Sequence, residues 1–220
     1  MHNSIKNLLK ITENVKAKFS NQNISSKTPE VIAVSKTFKI EQIMPLIDHG
    51  HLHYGENKVQ EAIEKWSEIK KKRNNIKLHL IGRLQTNKAK IAVSLFDFIH
   101  SIDNKKLADK ISKCQKEQNK KLKLFIQVNI GNESQKSGIS KDNLFHFYDY
   151  CKSLDLNIIG LMCIPPFNED SLKYFKEMKI LTEKLNLKEL SMGMSSDYLV
   201  AAENKSTYLR IGSSIFGNRD

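Results

Sequence analysis

Short apolar runs alternate with longer amphipathic stretches along the whole chain. Val31-Ile32-Ala33-Val34 is a β-branched run, the composition of a strand buried on both faces. Seven more strand-like runs follow, at 51–54, 77–81, 96–100, 122–128, 157–162, 189–192 and 207–211. The stretches between them carry helical spacing. Val59, Ala62, Ile63 and Trp66 fall on one face, as do Leu107, Ile111 and Cys114. Leu144, Phe147, Cys151 and Leu154 do the same, and Leu172, Phe175, Met178 and Leu185 keep the period more loosely. An opening helix over about residues 1–20, with Ile5, Leu8, Val15 and Phe19 on one side, precedes the first strand. Asp103 and Ser140 are the expected N-caps of two later helices. Strand–helix alternation predicts a parallel sheet with right-handed crossovers. An open doubly wound sheet is the rival; eight evenly distributed strands favour closure into a single α/β domain over 1–220, a (β/α)8 TIM barrel.

In such a barrel, chemistry belongs where each strand runs into its following helix. The sequence gathers polar and small residues at those junctions: Ser35-Lys36, Gly55-Glu56-Asn57, Gly82-Arg83, Gly193-Met194-Ser195 and Arg210-Ile211-Gly212-Ser213. Alternation places Ile32, Val34 and Lys36 on one face of the first strand, and Tyr208 and Arg210 on one face of the last. The first and last strands are neighbours in a closed barrel, so Lys36 and Arg210 are expected at one mouth. Lost hydration and a cationic neighbour both favour the neutral amine that Schiff-base chemistry needs. Alone, a lysine ending a strand reads as a surface residue. The serine-containing turns after the seventh and eighth strands add an anion site, offering backbone N–H groups and hydroxyls.

Composition adds little to the fold and narrows the setting. The chain of 220 residues is 40% hydrophobic and 27% charged, as ordinary globular proteins are. No run approaches the roughly 20 apolar residues of a membrane span, and the N-terminus lacks a signal-peptide pattern. A cytoplasmic protein with no membrane association is expected. Cys114, Cys151 and Cys163 have neither zinc-ligand nor redox spacing and read as reduced, packed thiols. In a cytoplasmic chain the Asn-x-Ser sequons at Asn23, Asn132 and Asn204 carry no meaning. The net charge of +12 admits a polyanion-binding reading. Against it, the basic residues are spread over many helices without interleaved aromatics, so nucleic acid is not the expected partner. His49, His51 and His53 alternate, but no Asp or Cys completes a metal shell beside them.

The motifs taken together resemble those of the pyridoxal phosphate homeostasis proteins, a family of alanine-racemase-type barrels. The matching stretches include Ala33-Val34-Ser35-Lys36-Thr37, Gly55-Glu56-Asn57-Lys58-Val59-Gln60-Glu61, Ile81-Gly82-Arg83-Leu84-Gln85-Thr86-Asn87-Lys88, and Arg210-Ile211-Gly212-Ser213-Ser214. They run in order over nearly the whole chain. The resemblance implies a fold type III barrel that holds pyridoxal 5′-phosphate (PLP) as a Schiff base on Lys36. It places Asn57 near the ring, Arg210 at the pyridine nitrogen, and Ser195, Gly212 and Ser213 at the phosphate. It also implies a role in intracellular PLP homeostasis without catalytic turnover, as a monomer or weak dimer, with apo PLP-dependent enzymes as recipients. Three positions depart from the family pattern: Arg83, Cys163, and the stretch Glu203-Asn204-Lys205-Ser206-Thr207, which lacks a glycine before Ser-Thr; Asn204 or local strain is expected to end the helix there.

The chemistry of the residues agrees with that restraint. An arginine at the pyridine nitrogen leaves the ring a poorer electron sink than a carboxylate would. Related racemases add a second domain with an opposing base, for which no residues are left over here. A small PLP-dependent amino-acid racemase is the competing function, and polyanion binding through the basic surface is a third.

Overall fold

The computed structural model describes residues 1–21 and 28–217, with side chains for 1–18 and 28–217; the expectations for the Phe19 side chain and for Asn23 lie outside these. Helix α1 (Asn3–Asn21) opens the chain and leads to β1 (Glu30–Val34). There follow α2 (Ile40–Asp48), β2 (His53–Glu56), α3 (Val59–Lys72), β3 (Lys77–Leu80), α4 (Ala89–Leu95) and β4 (Phe98–Ile102). The second half comprises α5 (Lys105–Gln118), β5 (Lys123–Val128), α6 (Leu144–Ser153), β6 (Ile158–Cys163), α7 (Ser171–Lys184), β7 (Glu189–Ser191), α8 (Tyr198–Glu203), β8 (Tyr208–Ile211) and the short α9 (Ser213–Phe216). The strands close in sequence order, and β1 pairs with both β2 and β8 in parallel. The chain is therefore the (β/α)8 barrel that the alternating pattern predicts.

Two apolar layers hold it. The larger lies between strands and helices and includes Trp66, Leu78, Ile99, Leu124 and Phe175. The smaller fills the barrel with Ile32, Phe98, Phe125, Met162 and Tyr208. His79 and His100 are also fully buried. They stack on Phe98 and Phe125 at centroid distances of 4.1 and 4.3 Å. Close strand approach between β6 and β7 needs Gly160, where a Cβ would stand 2.0 Å from the Glu189 carbonyl oxygen.

Several boundaries differ from the pattern for identifiable reasons. Strand β2 runs on to Glu56, whose buried carboxylate is met by donors. Strand β4 runs on through Ser101, which donates to the Gly82 carbonyl at 2.7 Å. Asn104, not Asp103, caps α5, accepting from the Leu107 amide at 2.9 Å; Asp103 instead accepts from the Gly138 amide. Ser140 does not cap α6: it opens the turn ahead of that helix, accepting from Asn143. The glycine missing after α8 is replaced by Lys205, at φ +64°, rather than by Asn204, at φ −100°.

Candidate functional site

The C-terminal mouth of the barrel begins with a turn held on both sides. Strand β1 ends at Val34, and Lys36 stands half-buried in the turn beyond it. Strand alternation thus stops short of Lys36, because the next residue, Thr37, takes a left-handed φ of +69°. A β-branched residue in that region is strained. Donors and acceptors from β2 and α3 fix the turn. The Ser35 hydroxyl donates to Glu56 Oε1 at 2.8 Å, and the Ser35 carbonyl accepts from Lys65 Nζ at 2.8 Å. The Thr37 amide donates to Glu61 Oε1 at 2.5 Å. Lys65 joins both carboxylates, at 2.9 Å from Glu56 and 3.0 Å from Glu61, and Trp66 Nε1 also donates to Glu56 at 2.9 Å. Partial burial raises the Glu61 pKa, but Lys65 and the Thr37 amide outweigh it and hold the carboxyl below its usual value.

Arg210 stands on β8, the strand paired with β1. Its register partner on β1 is Ile32, which lies inside the barrel. Arg210 is 4% exposed. Nη1 donates to Ser191 Oγ at 2.7 Å and Nη2 to the Cys163 carbonyl at 2.8 Å. Both partners are neutral, and these bonds use two of the five N–H groups a guanidinium offers. Burial lowers its pKa from the usual arginine value, while Cys163 and Asp197 act in the opposite sense. A buried cation held by neutral acceptors suits a polar or anionic ligand.

The other predicted residues gather around the same rim. Asn57 and Lys36 each lie two residues beyond the paired Val34 and Gly55. The Asn57 backbone packs so tightly on Gly82 that a Cβ there would stand 2.3 Å from the Asn57 carbonyl oxygen. Asn57 Oδ1 is buried without a hydrogen-bond partner among the described residues. A carboxamide can present a donor or an acceptor, so this orphaned group fits a ligand's polar edge. The turns after β7 and β8 touch, with the Ser214 amide donating to Ser195 Oγ at 3.4 Å. Gly212 opens α9 beside Val34, and Ser213 is exposed. These groups fit PLP: an amine for its aldehyde, donors for its ring nitrogen, and hydroxyl and amide groups for its phosphate.

Two departures from the motif pattern resolve differently. Arg83 is exposed and lines a cleft of about 670 Å³ with Asn57, Gln60 and Asn104. Cys163 serves through its backbone carbonyl, while burial pushes its thiol up to about 12. Sequence reasoning missed Lys65 and Glu61, although their spacing of four on one helix is a readable ion-pair signal. It also gave no role to Ser191, which lies in the family-like stretch Leu190-Ser191-Met192-Gly193-Met194-Ser195.

A closed parallel barrel with a lysine beyond its first strand and an arginine on its last is of the alanine racemase N-terminal type. The family model described as alanine racemase, N-terminal domain, matches residues 7–220. The pyridoxal phosphate homeostasis protein of Aquifex aeolicus is 35% identical, over 99% of each chain. The human protein of that name is 36% identical over 87% of this chain and 77% of its own. The chain belongs to the pyridoxal phosphate homeostasis protein family. PipY of Synechococcus elongatus, solved with PLP bound, is 31% identical with a TM-score of 0.80, covering 92% of this chain and 100% of PipY. Alanine racemase of Clostridium difficile shares the fold at 13% identity and a TM-score of 0.68, covering 94% of this chain and 57% of the racemase.

Proposed function

We propose that this chain is an intracellular carrier and buffer of PLP, with Lys36 as its tether and no catalytic turnover. The observation that carries the reading is the pairing of the clamped Lys36 turn with the buried Arg210 at one mouth. When bound, the cofactor supplies an aldehyde that a neutral lysine amine takes up reversibly as a Schiff base, with loss of water. Ser35 and Thr37, fixed by Glu56, Lys65 and Glu61, hold the backbone on either side of that amine. Arg210 offers its remaining N–H groups to the ring nitrogen. Asn57 meets the ring edge, and Ser195, Gly212 and Ser213 hold the phosphate. The name of the Aquifex aeolicus relative and the PLP bound in PipY support the same ligand for this chain.

Arg210 weighs against turnover without forbidding it. A guanidinium keeps its protons, so the ring nitrogen is hydrogen-bonded rather than protonated and withdraws electrons weakly. That suits storage and release, with apo PLP-dependent enzymes as the recipients. Titration with PLP, followed by assays across the common amino acids, tests both parts. The expected result is stoichiometric uptake without racemisation. Robust racemisation by purified protein would replace the carrier reading with that of a small racemase.

A further inference from the structure

Three histidines inside the barrel form a ladder that ends on Arg210. His53 Nδ1 lies 2.9 Å from His79 Nε2, and His79 Nδ1 lies 2.9 Å from His100 Nε2. His100 Nδ1 lies 2.9 Å from Ser191 Oγ, which in turn accepts from Arg210 Nη1 at 2.7 Å. Strand register explains why the rings meet. His53 is paired with Lys77, and His79 lies two residues further along β3. His79 is paired with Phe98, and His100 lies two residues further along β4. Residues two apart share a face, so each histidine is the diagonal inward neighbour of the last. Both ring pairs have centroids 5.2 Å apart. The ladder therefore climbs from His53, beside a cavity of about 490 Å³ at the N-terminal mouth, to Arg210 at the other mouth.

The hydrogen-bond direction follows from the one member that has no choice. A guanidinium only donates, so Ser191 Oγ accepts from Arg210; its other partner among the described residues is His100 Nδ1, which therefore takes the hydroxyl proton. His100 then carries its proton on Nε2 and donates to His79 Nδ1. The same step repeats, and His79 donates from Nε2 to His53 Nδ1. His79 and His100 are thereby neutral Nε2–H tautomers, and His53 accepts on Nδ1. Burial holds the pKa of His79 and of His100 well below 6.5; the neighbouring rings add to it at His79, and the Arg210 charge at His100. Phe98 and Phe125 stack on two of the rings and hold their planes.

We propose that Ser191 and His100 are positioning residues for Arg210, and that Arg210 imposes one hydrogen-bond direction on the ladder as far as His53. The consequence for the cofactor rests on the carrier reading above: with its proton committed to His100, Ser191 leaves Arg210 as the donor toward the ring nitrogen. The state of that guanidinium is thereby linked, ring by ring, to the far mouth.

Nitrogen-15 NMR of histidine-labelled full chain, free of PLP, tests the ladder without the cofactor. The expected spectrum shows His79 and His100 each with a protonated Nε2 and a bare Nδ1 across pH 6.5–8. A proton on either Nδ1 overturns the proposal. Arg210→Met is expected to abolish the single tautomer at His100 and to alter the His79 signals. Ser191→Ala, a smaller change, is expected to shift His100 Nδ1 to the position of a nitrogen without a donor. Unchanged ring signals in the folded variants contradict the imposed direction, which a purely structural role for these residues would not produce. For the positioning role, Ser191→Ala is expected to weaken PLP retention about tenfold and to shift its absorbance band; unchanged retention and band overturn that role. If the parent chain takes up no PLP at all, the carrier reading falls, and the ladder is judged on the ring nitrogens alone.

Discussion

Glu56 holds the Lys36 turn by a single oxygen that accepts from Ser35, Lys65 and Trp66. The residue is fully buried and its second oxygen has no hydrogen-bond partner among the described residues. Most of what Glu56 contributes is therefore concentrated at one atom. Replacing it with leucine removes the charge while leaving Lys65, 8% exposed at its side chain, with Glu61 as its remaining carboxylate partner. Breaking a buried pair from one side is strongly destabilising. Glu56→Leu is expected to cost about 3 kcal/mol, read as a fall in the urea midpoint by circular dichroism. PLP retention should fall with it, because the Ser35 hydroxyl loses its nearer acceptor and keeps only the Gly55 carbonyl at 3.4 Å. A variant within about 0.5 kcal/mol of the parent, the range of ordinary surface substitutions, would show that the clamp does not hold the turn. Thr37 adds the complementary feature, a strained φ of +69° next to the amine. Strain of this kind persists only where surrounding contacts over-determine it, and the Glu61–Thr37 bond is such a contact.

Among the elements, α8 shows how a missing glycine is tolerated. The chain leaves the helix through Lys205 in the left-handed region, at φ +64°. Its ion pair with Glu183, at 3.2 Å and half-exposed on both sides, adds little. Lys205→Gly relieves a penalty of about 1 kcal/mol. The expected result is a higher urea midpoint with an unchanged slope; a lower midpoint would mean that the lysine side chain matters more than its backbone. The sequence stopped short of this detail. All eight strands were legible from apolar runs, since a strand buried on both faces leaves a β-branched or aromatic stretch that needs no partner to be read. Their ends were not, because Glu56 and Ser101 are polar residues made tolerable inside by long-range donors and acceptors. The cap at Asn104 was misread for the same reason: the choice between Asp103 and Asn104 is decided by Gly138, more than thirty residues away. Lys36, Arg210 and the phosphate turns stood out as polar residues at strand ends. Ser191, Lys65 and the inner histidines did not, because their roles exist only once the barrel closes.

At the scale of the whole molecule, the barrel interior has a titration cost built into it. Burial holds the pKa of His79 and of His100 well below 6.5, and lowers that of His51 to about 4. The unfolded chain protonates these rings first. Stability from them is complete above the unfolded value of about 6.5 and is lost as pH falls from there toward the folded values. Each ring contributes a slope of about 1.4 kcal/mol per pH unit in that window, so three together give up to about 4. Urea unfolding should be nearly flat between pH 8 and 7 and weaken steeply below 6.5, with proton uptake on unfolding. A flat profile from pH 7 to 5 would contradict the neutral, buried rings. The surface behaves differently. Lysine pairs such as Lys71–Glu68, Lys121–Asp155 and Lys141–Glu177 are distributed around the helices, so the excess positive charge is spread over the helical surface. The mouth, not that surface, is where a charged ligand meets a built site.

The central claim is that the Lys36 amine holds the cofactor, and borohydride reduction tests it most directly. The purified chain would be loaded with PLP, its absorbance recorded, the adduct reduced, and the peptides mapped by mass spectrometry. The account predicts a Schiff-base absorbance band that borohydride removes, and a single pyridoxyl adduct on the peptide carrying Lys36. An adduct on another lysine, or none on Lys36 in protein that has taken up PLP, would contradict it.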